Sequence, residues 1–277
     1  MRTRMIFRLA TMLLAAIAFA ISAATNEAGA QAQSTWEQIM STKKIRSGAI
    51  DFPPYWWREG GKWRGAMVSM SEDVAKNLGV ELEMVATTWA TATLELQSNR
   101  IDMQFGVQAT PQRAKAIYFA GPIYNIAFAM VNGPAFKGGK TWADYNQPGV
   151  KIAVQTGGTS EVILRKMAPK ANHVQLATLP ETIMAVTSGR ADAFATTSMA
   201  ALTGKQKNPE LGNFTIPTPF VTLPGYIGLR ADVGDFRFKE FLEKWGEWNM
   251  LLGINEMLLK ENLNAMGITD IPDEIHF

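Results

Sequence analysis

Strand-like and helix-like segments alternate along the first part of the chain, and this alternation limits the possible folds more than any other feature. Segments with the length and apolar character of strands cover residues 44–49, 80–86 and 102–107. Between them, residues 66–78 and 90–98 have helical character, the first with apolar residues at helical spacing. This order is typical of an α/β fold with a mostly parallel sheet, whose binding loops lie at the carboxyl ends of the strands.

The stretch from Asp102 to Ile123 brings a strand, a helix start and an arginine close together. Pro111 suits the first position of a helix, where its missing N–H is not needed. Arg113 follows in that helix. The free N–H groups of a helix start and the fork of an arginine both bind carboxylates, so this stretch is a candidate anion site. On these residues alone, a solvated helix arginine remains an open alternative.

Residues 51–57, DFPPYWW, form a loop because their two prolines exclude both helix and sheet. Aromatic side chains this dense on a loop either fill the core or form the wall of a ligand site. Trp89, just before the helix at 90–98, has the same two interpretations. The sequence leaves both open for the loop residues Phe52, Tyr55, Trp56 and Trp57.

A turn rich in glycine and hydroxyl residues, 156–160, joins a predicted strand at 151–155 to a predicted helix at 161–167. Such a turn offers several N–H groups to an anion. The pattern is common, and it is not a nucleotide-binding P-loop because no G-K-[ST] follows at the required spacing. This turn is the second candidate anion site.

The first anion stretch is similar to the lobe-one signature of the amino-acid-binding family of periplasmic solute-binding proteins, which serve ABC importers. The family pattern is roughly D-hydrophobic-x-x-G-x-T-x-T-x-x-R, followed by F-S-x-P-Y. Its counterparts here, with one extra residue before the last, are Asp102, Gly106, Gln108, Thr110, Arg113, Phe119, Ala120, Pro122 and Tyr124. The resemblance implies an α/β fold of two Rossmann-like lobes joined by two hinge strands, the type 2 periplasmic-binding-protein clamp.

The resemblance also implies which residues hold the ligand. In the family a glycine carbonyl takes the ligand's amine, and this glycine falls at Gly106. The α-carboxylate is held by the positions of Gln108 and Arg113; Gln108 departs from the usual threonine or serine but still donates a hydrogen bond. The aromatic and second-lobe positions of the family's site fall at Phe52, Tyr55, Trp89, Gly158 and Thr159.

One site position departs from the family in its charge. The aspartate that binds the ligand's amine falls at Thr197, five residues after Asp192. An α-ammonium buried without a carboxylate is costly. Three alternatives follow: another acid such as Asp51 or Glu161 replaces the aspartate, the ligand lacks a standard α-amino group, or a cationic group rests on the aromatic wall.

The resemblance divides the chain into two lobes that are discontinuous in sequence. The predicted parts are a signal peptide (1–30), lobe 1 (31–125), a hinge strand (126–131), lobe 2 (132–225), a second hinge strand (226–230) and the return to lobe 1 (231–277). In that return, an amphipathic helix at 236–252 is predicted to direct inward Phe238, Phe241, Leu242, Trp245, Trp248 and Leu252.

The first 30 residues have the order of a secretory signal peptide. Three arginines precede an apolar run over residues 9–24, and small residues at 28–30 offer a cleavage site. The alternative, an uncleaved membrane anchor, requires a longer apolar run. Because the chain has no cysteine, it has no lipid-attachment site. We therefore expect a freely diffusing periplasmic protein rather than a lipoprotein.

The charge balance argues against a nucleic-acid partner. The chain contains 27 Lys and Arg against 25 Asp and Glu. Three of the arginines and one glutamate lie in the signal segment, so the remainder has equal numbers of basic and acidic side chains. No polybasic surface is expected, and neither nucleic acid nor anionic lipid is a predicted partner.

The leading prediction is a monomeric solute-binding protein, not an enzyme, that captures an amino acid or a related small carboxylate and delivers it to the permease of an ABC importer. No metal or cofactor is expected, since His173 and His276 are isolated and no H-E-x-x-H or G-x-S-x-G motif occurs. One alternative is an enzyme resembling cyclohexadienyl dehydratases, which would need Glu161 or Glu181 in the cleft with a raised pKa. The other is a soluble sensor domain.

Overall fold

The computed structural model describes residues 33–271, so the signal-peptide prediction lies outside the described residues. Across that range no helix combines the length and the apolar character that a membrane span requires. The strands are β1 (Lys44–Ala49), β2 (Trp57–Glu59), β3 (Lys62–Arg64), β4 (Glu81–Ala86), β5 (Met103–Val107), β6 (Ile117–Asn132), β7 (Lys151–Gln155), β8 (Asn172–Leu176), β9 (Ala193–Thr197), β10 (Phe214–Thr215) and β11 (Thr222–Arg230).

One helix precedes β1, and the others lie between the strands or after the last one. They are α1 (Thr35–Thr42), α2 (Ala66–Leu78), α3 (Ala92–Gln97), α4 (Pro111–Ala114), α5 (Trp142–Tyr145), α6 (Thr159–Met167), α7 (Leu179–Thr187), α8 (Ser198–Lys207), α9 (Arg237–Leu251) and α10 (Ile254–Ala265). The predicted alternation of strand and helix is therefore present, with element ends shifted by a few residues.

The main sheet has the strand order β4-β1-β5-β11-β6-β9-β7-β8, with β10 paired to β6. At one end, β1 pairs in parallel with β4 and β5, and at the other end β7 pairs in parallel with β8 and β9. The antiparallel strands β6 and β11 lie in the middle. The sheet thus has two halves of parallel strands, each followed by binding-loop positions at its carboxyl edge.

The two segments predicted as hinge strands lie within longer strands. Residues 126–131 belong to the 16-residue strand β6, and residues 226–230 are the second part of β11. The first part of β6 pairs with β11, and its last residues, 128–132, pair with β9. β6 therefore passes from one half of the sheet to the other, which is the connection that a hinge requires. The division into lobes stays a prediction.

A buried ion pair fixes β1 against β5 just below the site. Asp102 is completely buried and accepts three hydrogen bonds from Arg46: from its backbone N–H at 2.7 Å, from Nε at 3.1 Å and from Nη2 at 2.6 Å. The Asp102 side chain raises the pKa of Arg46 by hydrogen bonding. A buried carboxylate is tolerated only with this kind of pairing. The acid that opens the sequence signature is therefore structural.

The prediction that Trp248 and Leu252 face inward is wrong. Their exposed fractions are 60% and 54%. The buried stripe of α9 instead ends at Asn249, whose amide donates to a carboxylate oxygen of Asp73 at 3.3 Å, while Trp245 donates to the same oxygen. Asn249, a polar residue bonded to Asp73, occupies the inward position that the spacing of apolar residues had assigned to Trp248 and Leu252.

Candidate binding site

A small cavity lies where loops from both halves of the sheet meet. Its volume is about 40 Å³. A water molecule needs roughly 10–15 Å³ of such cavity volume, so the cavity holds about three waters. Entry of an amino-acid-sized ligand therefore requires the walls to separate. The cavity is lined by Phe52, Tyr55, Trp56, Trp89, Gly106, Gln108, Tyr124, Gln155, Gly158, Thr159, Ser160, Leu179, Ala195, Thr196, Thr197 and Leu223.

Eight of the nine residues predicted for the site line this cavity: all except Arg113. They come together because three of the loops follow parallel strands of the same half: the loop of Phe52 follows β1, Trp89 follows β4, and Gln108 follows β5. Carboxyl ends of parallel strands share one edge of a sheet. The other lining residues were not in the predicted set, although Trp56 and Tyr124 lie within the segments that carried the prediction.

One wall of the cavity is a continuous cluster of aromatic rings. Phe52 stacks on Tyr55 with 5.6 Å between the ring centroids, and Trp89 meets Phe52 and Trp56 edge to face at 6.0 Å each. Tyr55 also stacks on Tyr124 at 6.4 Å. We call these five rings the aromatic wall. It offers an apolar, polarisable surface for the body of a ligand.

Gly106 makes this wall possible. Its backbone has φ +72°, which disfavours any side chain with a Cβ. A Cβ at this position would also lie 3.1 Å from the Tyr124 hydroxyl and close to the rings of Trp56 and Trp89. Glycine therefore lets β5 approach the rings closely and leaves its backbone open toward the cavity.

The opposite wall is neutral and polar, and it comes from the second half of the sheet. It contains Gln155 at the end of β7, the turn into α6, and Thr196 and Thr197 at the end of β9. Gln155 donates from Nε2 to the carbonyl of Ala177 at 3.1 Å. This bond fixes the orientation of the amide, and its Oε1 atom, like any amide oxygen, is an acceptor.

Arg113 lies behind the cavity, and among residues 33–271 none of its hydrogen-bond partners is an acid. Nη1 donates to the carbonyl of Gln108 at 3.2 Å and to the hydroxyl of Thr159 at 3.3 Å, and Nη2 donates to the carbonyl of Gly157 at 3.1 Å. Burial lowers the pKa of the Arg113 guanidinium. The side chain is therefore not the solvated helix arginine that the sequence left open. A partly buried cation with neutral partners favours the approach of an anion.

Two further hydrogen bonds join the walls directly. The hydroxyl of Thr159 donates to Oε1 of Gln108 at 2.8 Å. The hydroxyl of Tyr55 donates to Oγ1 of Thr197 at 3.2 Å, and burial raises the pKa of Tyr55, so it stays a donor. Together with Arg113, these contacts hold the two halves of the sheet against each other.

The acidic candidates named from the sequence lie outside the cavity lining. Asp51 is exposed. Glu161 accepts from the Gly157 N–H and from Arg165. Its burial alone would raise the pKa, but the bonds from Arg165 and Gly157 outweigh it and lower the pKa of Glu161. Glu181 caps α7 by accepting from the N–H groups of Ala177 and Thr178.

Three buried polar atoms on cavity-lining residues have no hydrogen-bond partner: Trp56 Nε1, Gln155 Oε1 and Thr196 Oγ1. The residues are between 93% and 99% buried. Unsatisfied buried groups are costly, and at a cavity they are commonly satisfied by a ligand or ordered water. Within residues 33–271, no group of three or more histidine, aspartate or glutamate side chains is arranged to hold a metal ion.

Comparison with known proteins confirms the resemblance found in the sequence. Residues 46–136 match the model of the bacterial extracellular solute-binding proteins, family 3. A cyclohexadienyl dehydratase from Pseudomonas aeruginosa is 27% identical over 248 residues, which cover 86% of this chain and 88% of that protein. The arginine-binding extracellular protein ArtP from Bacillus subtilis is 24% identical over 209 residues, 74% of this chain and 78% of that protein.

Solved structures confirm the α/β fold of the type 2 periplasmic-binding proteins. An ancestral amino acid-binding protein, described as a precursor of cyclohexadienyl dehydratase, matches with a TM-score of 0.73 and 27% identity over 83% of this chain and 99% of that chain. A mutant of ArgBP from T. maritima matches with a TM-score of 0.74 and 25% identity over 83% of this chain and 100% of that chain. The relatives include both binding proteins and an enzyme.

Proposed function

We propose that this chain, which is similar to the family 3 extracellular solute-binding proteins, captures an amino acid or a related small carboxylate outside the cytoplasm and delivers it to the permease of an ABC importer. The observation that carries this proposal is Arg113, a partly buried guanidinium with neutral partners behind an aromatic-walled cavity. The relative ArtP, an arginine-binding extracellular protein, supports the ligand class.

The proposed ligand lies between the aromatic wall and the neutral polar wall. Its carboxylate exchanges the contacts between Arg113 and the carbonyls for charge-assisted bonds, each contributing about 1.5–3 kcal/mol. Two or three such bonds, with burial against the rings, reach the roughly −8 kcal/mol of a micromolar complex. Only a closed protein makes contacts with both walls at once, so binding shifts the population toward closure.

In this proposal the lobes are residues 31–125 with 231–277 and residues 132–225, and β6 and β11 provide the connection about which they move. The cavity is too small for an amino acid while the direct bonds between the walls are present. Opening breaks those bonds, and the ligand replaces them. The closed form is then the form that the permease recognises.

Isothermal titration calorimetry of the purified protein, refolded to remove co-purified ligand, tests the proposal. The panel contains amino acids, their deaminated acids and dicarboxylates. A ligand at a hundred times its dissociation constant also adds about 2.7 kcal/mol to the free energy of unfolding, which a thermal-shift assay detects. Saturable binding of a panel carboxylate is the expected result. Absence of binding across the panel would overturn the proposal.

A second candidate function is a dehydratase-like enzyme, favoured by the match to the Pseudomonas dehydratase along most of both chains. The chemistry needs an acid in the cavity with a raised pKa. Glu161 has a lowered pKa, and both Glu161 and Glu181 cap turns outside the cavity lining. These contacts favour binding without turnover. Incubation of the protein with prephenate and arogenate distinguishes the two functions, because formation of product would replace the binding-protein proposal.

The proposed location is the periplasm, as a soluble protein released by cleavage after the signal segment. Cell fractionation with N-terminal sequencing of the released protein tests this. We expect the mature protein to begin near residue 31. Retention in the membrane fraction with an intact first residue would instead identify residues 9–24 as an anchor.

A further inference from the structure

We infer that the cavity selects a small carboxylate that carries no ammonium group, with an α-hydroxy acid as its best-fitting form, and that Thr197 sets this preference. The inference rests on the proposed function, because it names the ligand class of the same cavity. It is argued from the charges, helix starts and unpartnered atoms around the cavity.

The fixed charges around the cavity are unbalanced. None of the described residues that line it is an aspartate or a glutamate, and the partly buried guanidinium of Arg113 contacts the lining residues Gln108 and Thr159. A monoanion neutralises this cation. A zwitterion with an ammonium group brings a second positive charge into the same buried space, where no carboxylate receives it.

Three helices of the second half begin at the cavity, and helix starts carry partial positive charge. Their first residues, or the residues that cap them, line it: Thr159 for α6, Leu179 for α7 and Thr197 for α8. Their fields add to that of Arg113. This arrangement disfavours a cation and favours groups that accept hydrogen bonds.

The start of α8 differs from the other two because no acid compensates it. Glu161 lies in the first turn of α6, and Glu181 forms a capping box with Thr178 at α7. The first turn of α8 has no acid, and its N-cap residue, Thr197, makes no side-chain capping bond. Its neighbour Thr196 has a buried hydroxyl oxygen without a partner. The Thr197 end of the cavity is therefore its least compensated positive region.

The unpartnered atoms show what a neutral ligand group satisfies. Gln155 Oε1 needs a donor, and Trp56 Nε1 needs an acceptor. A hydroxyl is both a donor and an acceptor and adds no charge. An α-hydroxy carboxylate thus provides an anion for Arg113 and a neutral group for these atoms, with its side chain on the aromatic wall. A keto acid lacks the donor.

Matched pairs that differ only at the α-substituent test the ligand class. Calorimetry on the refolded protein uses phenylalanine with phenyllactate, leucine with α-hydroxyisocaproate, and glutamate with α-hydroxyglutarate; glycine betaine and phenylpyruvate complete the panel. We expect the hydroxy member of the bound pair to bind at least about tenfold more tightly. Tighter binding of an amino acid or of betaine would overturn the inference and leave the proposed function standing. No binding of any acid would overturn both.

Thr197→Asp and Thr197→Asn test the assigned position. Both substitutions introduce favoured N-cap residues of similar size, so the fold is retained, and only one adds a negative charge. Thr197→Asp is expected to reverse the preference within the bound pair by at least about tenfold in favour of the amino acid, as a carboxylate receives its ammonium. Thr197→Asn is expected to keep the hydroxy-acid preference. Equal preferences in the two variants would overturn the role of Thr197.

Discussion

The guanidinium of Arg113 donates to the carbonyl oxygen of Gly157 at 3.1 Å, and this bond connects the short helix α4 with the turn before α6. It joins the two halves of the sheet directly behind the cavity. Its donor is also the group proposed to receive the ligand's carboxylate. Closure and ligand capture therefore both depend on the Arg113 side chain. Substitutions at Arg113 and at Gly157 distinguish the contribution to ligand binding from the contribution to closure.

Replacing Arg113 with alanine is expected to weaken ligand binding by about 2–5 kcal/mol, because the ligand's carboxylate loses a buried charged partner. The fold stays intact, since α4 keeps its Thr110 cap and Pro111 start. Calorimetry with the best panel ligand measures the change. Arg100→Ala is the matched control, because the Arg100 side chain is 62% exposed and lies outside the cavity lining. Unchanged affinity in the Arg113 variant would remove this residue from the site.

Gly157→Ala is expected to hinder closure. A Cβ at Gly157 would lie 2.8 Å from Cα of Ala90 in the other half, and its backbone has φ +77°. Gly189→Ala is the control, since its φ is +72° with nothing within 4 Å of the added Cβ. Both variants carry the conformational cost of about 1–2 kcal/mol.

Only the Gly157 variant is expected to lose ligand affinity, by at least about tenfold, because the closed state becomes less populated. Small-angle scattering with saturating ligand should show a larger radius of gyration for this variant than for Gly189→Ala. Equal affinities for the two variants would contradict a role for the Gly157 contact in closure.

Asp102→Asn is expected to destabilise the protein by about 3–5 kcal/mol, since it leaves the partly buried Arg46 without its carboxylate. Glu83→Gln is the control. Glu83 pairs with Lys44 at 3.6 Å with both side chains substantially exposed, so we expect a loss below about 1 kcal/mol. Urea unfolding gives both free energies. Similar small losses would mean that the Asp102 pair does not hold β1 against β5.

The sequence predicted the part of the site that short-range patterns encode. Arg113 was recognised because a strand end, a proline at the helix start and an arginine occur within a few residues, whereas Gly106 and Gln108 were assigned through the resemblance to the solute-binding family. Phe52 and Trp89 each follow a predicted strand, and parallel strands bring such loops to one edge; the resemblance then assigned both residues to the ligand site. The order of strands and helices gave the fold class for the same reason.

The rest of the site depends on contacts between distant segments, which spacing does not encode. Tyr124 belonged to the recognised signature but was not assigned to the site; it lies on the long strand β6, whereas the sequence placed a shorter strand at 126–131. Leu223 arrives through the antiparallel pairing of β11 with β6. Trp248 was wrongly assigned to the core because the inward position belongs to Asn249, whose partner Asp73 lies 176 residues away.

Acidification is expected to loosen the turn at Gly157 through Glu161. Burial raises the pKa of Glu161, but bonds from Arg165 and the Gly157 N–H lower it more, so its net pKa lies below the ordinary value of 4.5. A carboxyl with a depressed pKa stabilises the fold fully above its unfolded pKa, and this contribution is lost as pH falls through the folded pKa. The difference in unfolding free energy between the wild type and Glu161→Gln should therefore shrink as pH falls below that value.

Glu247→Gln, at an exposed pair with Lys244, is the control. Urea unfolding at pH values above and below 4.5 measures the free-energy difference between the wild type and Glu161→Gln. A difference that does not change with pH would contradict the assigned role of Glu161.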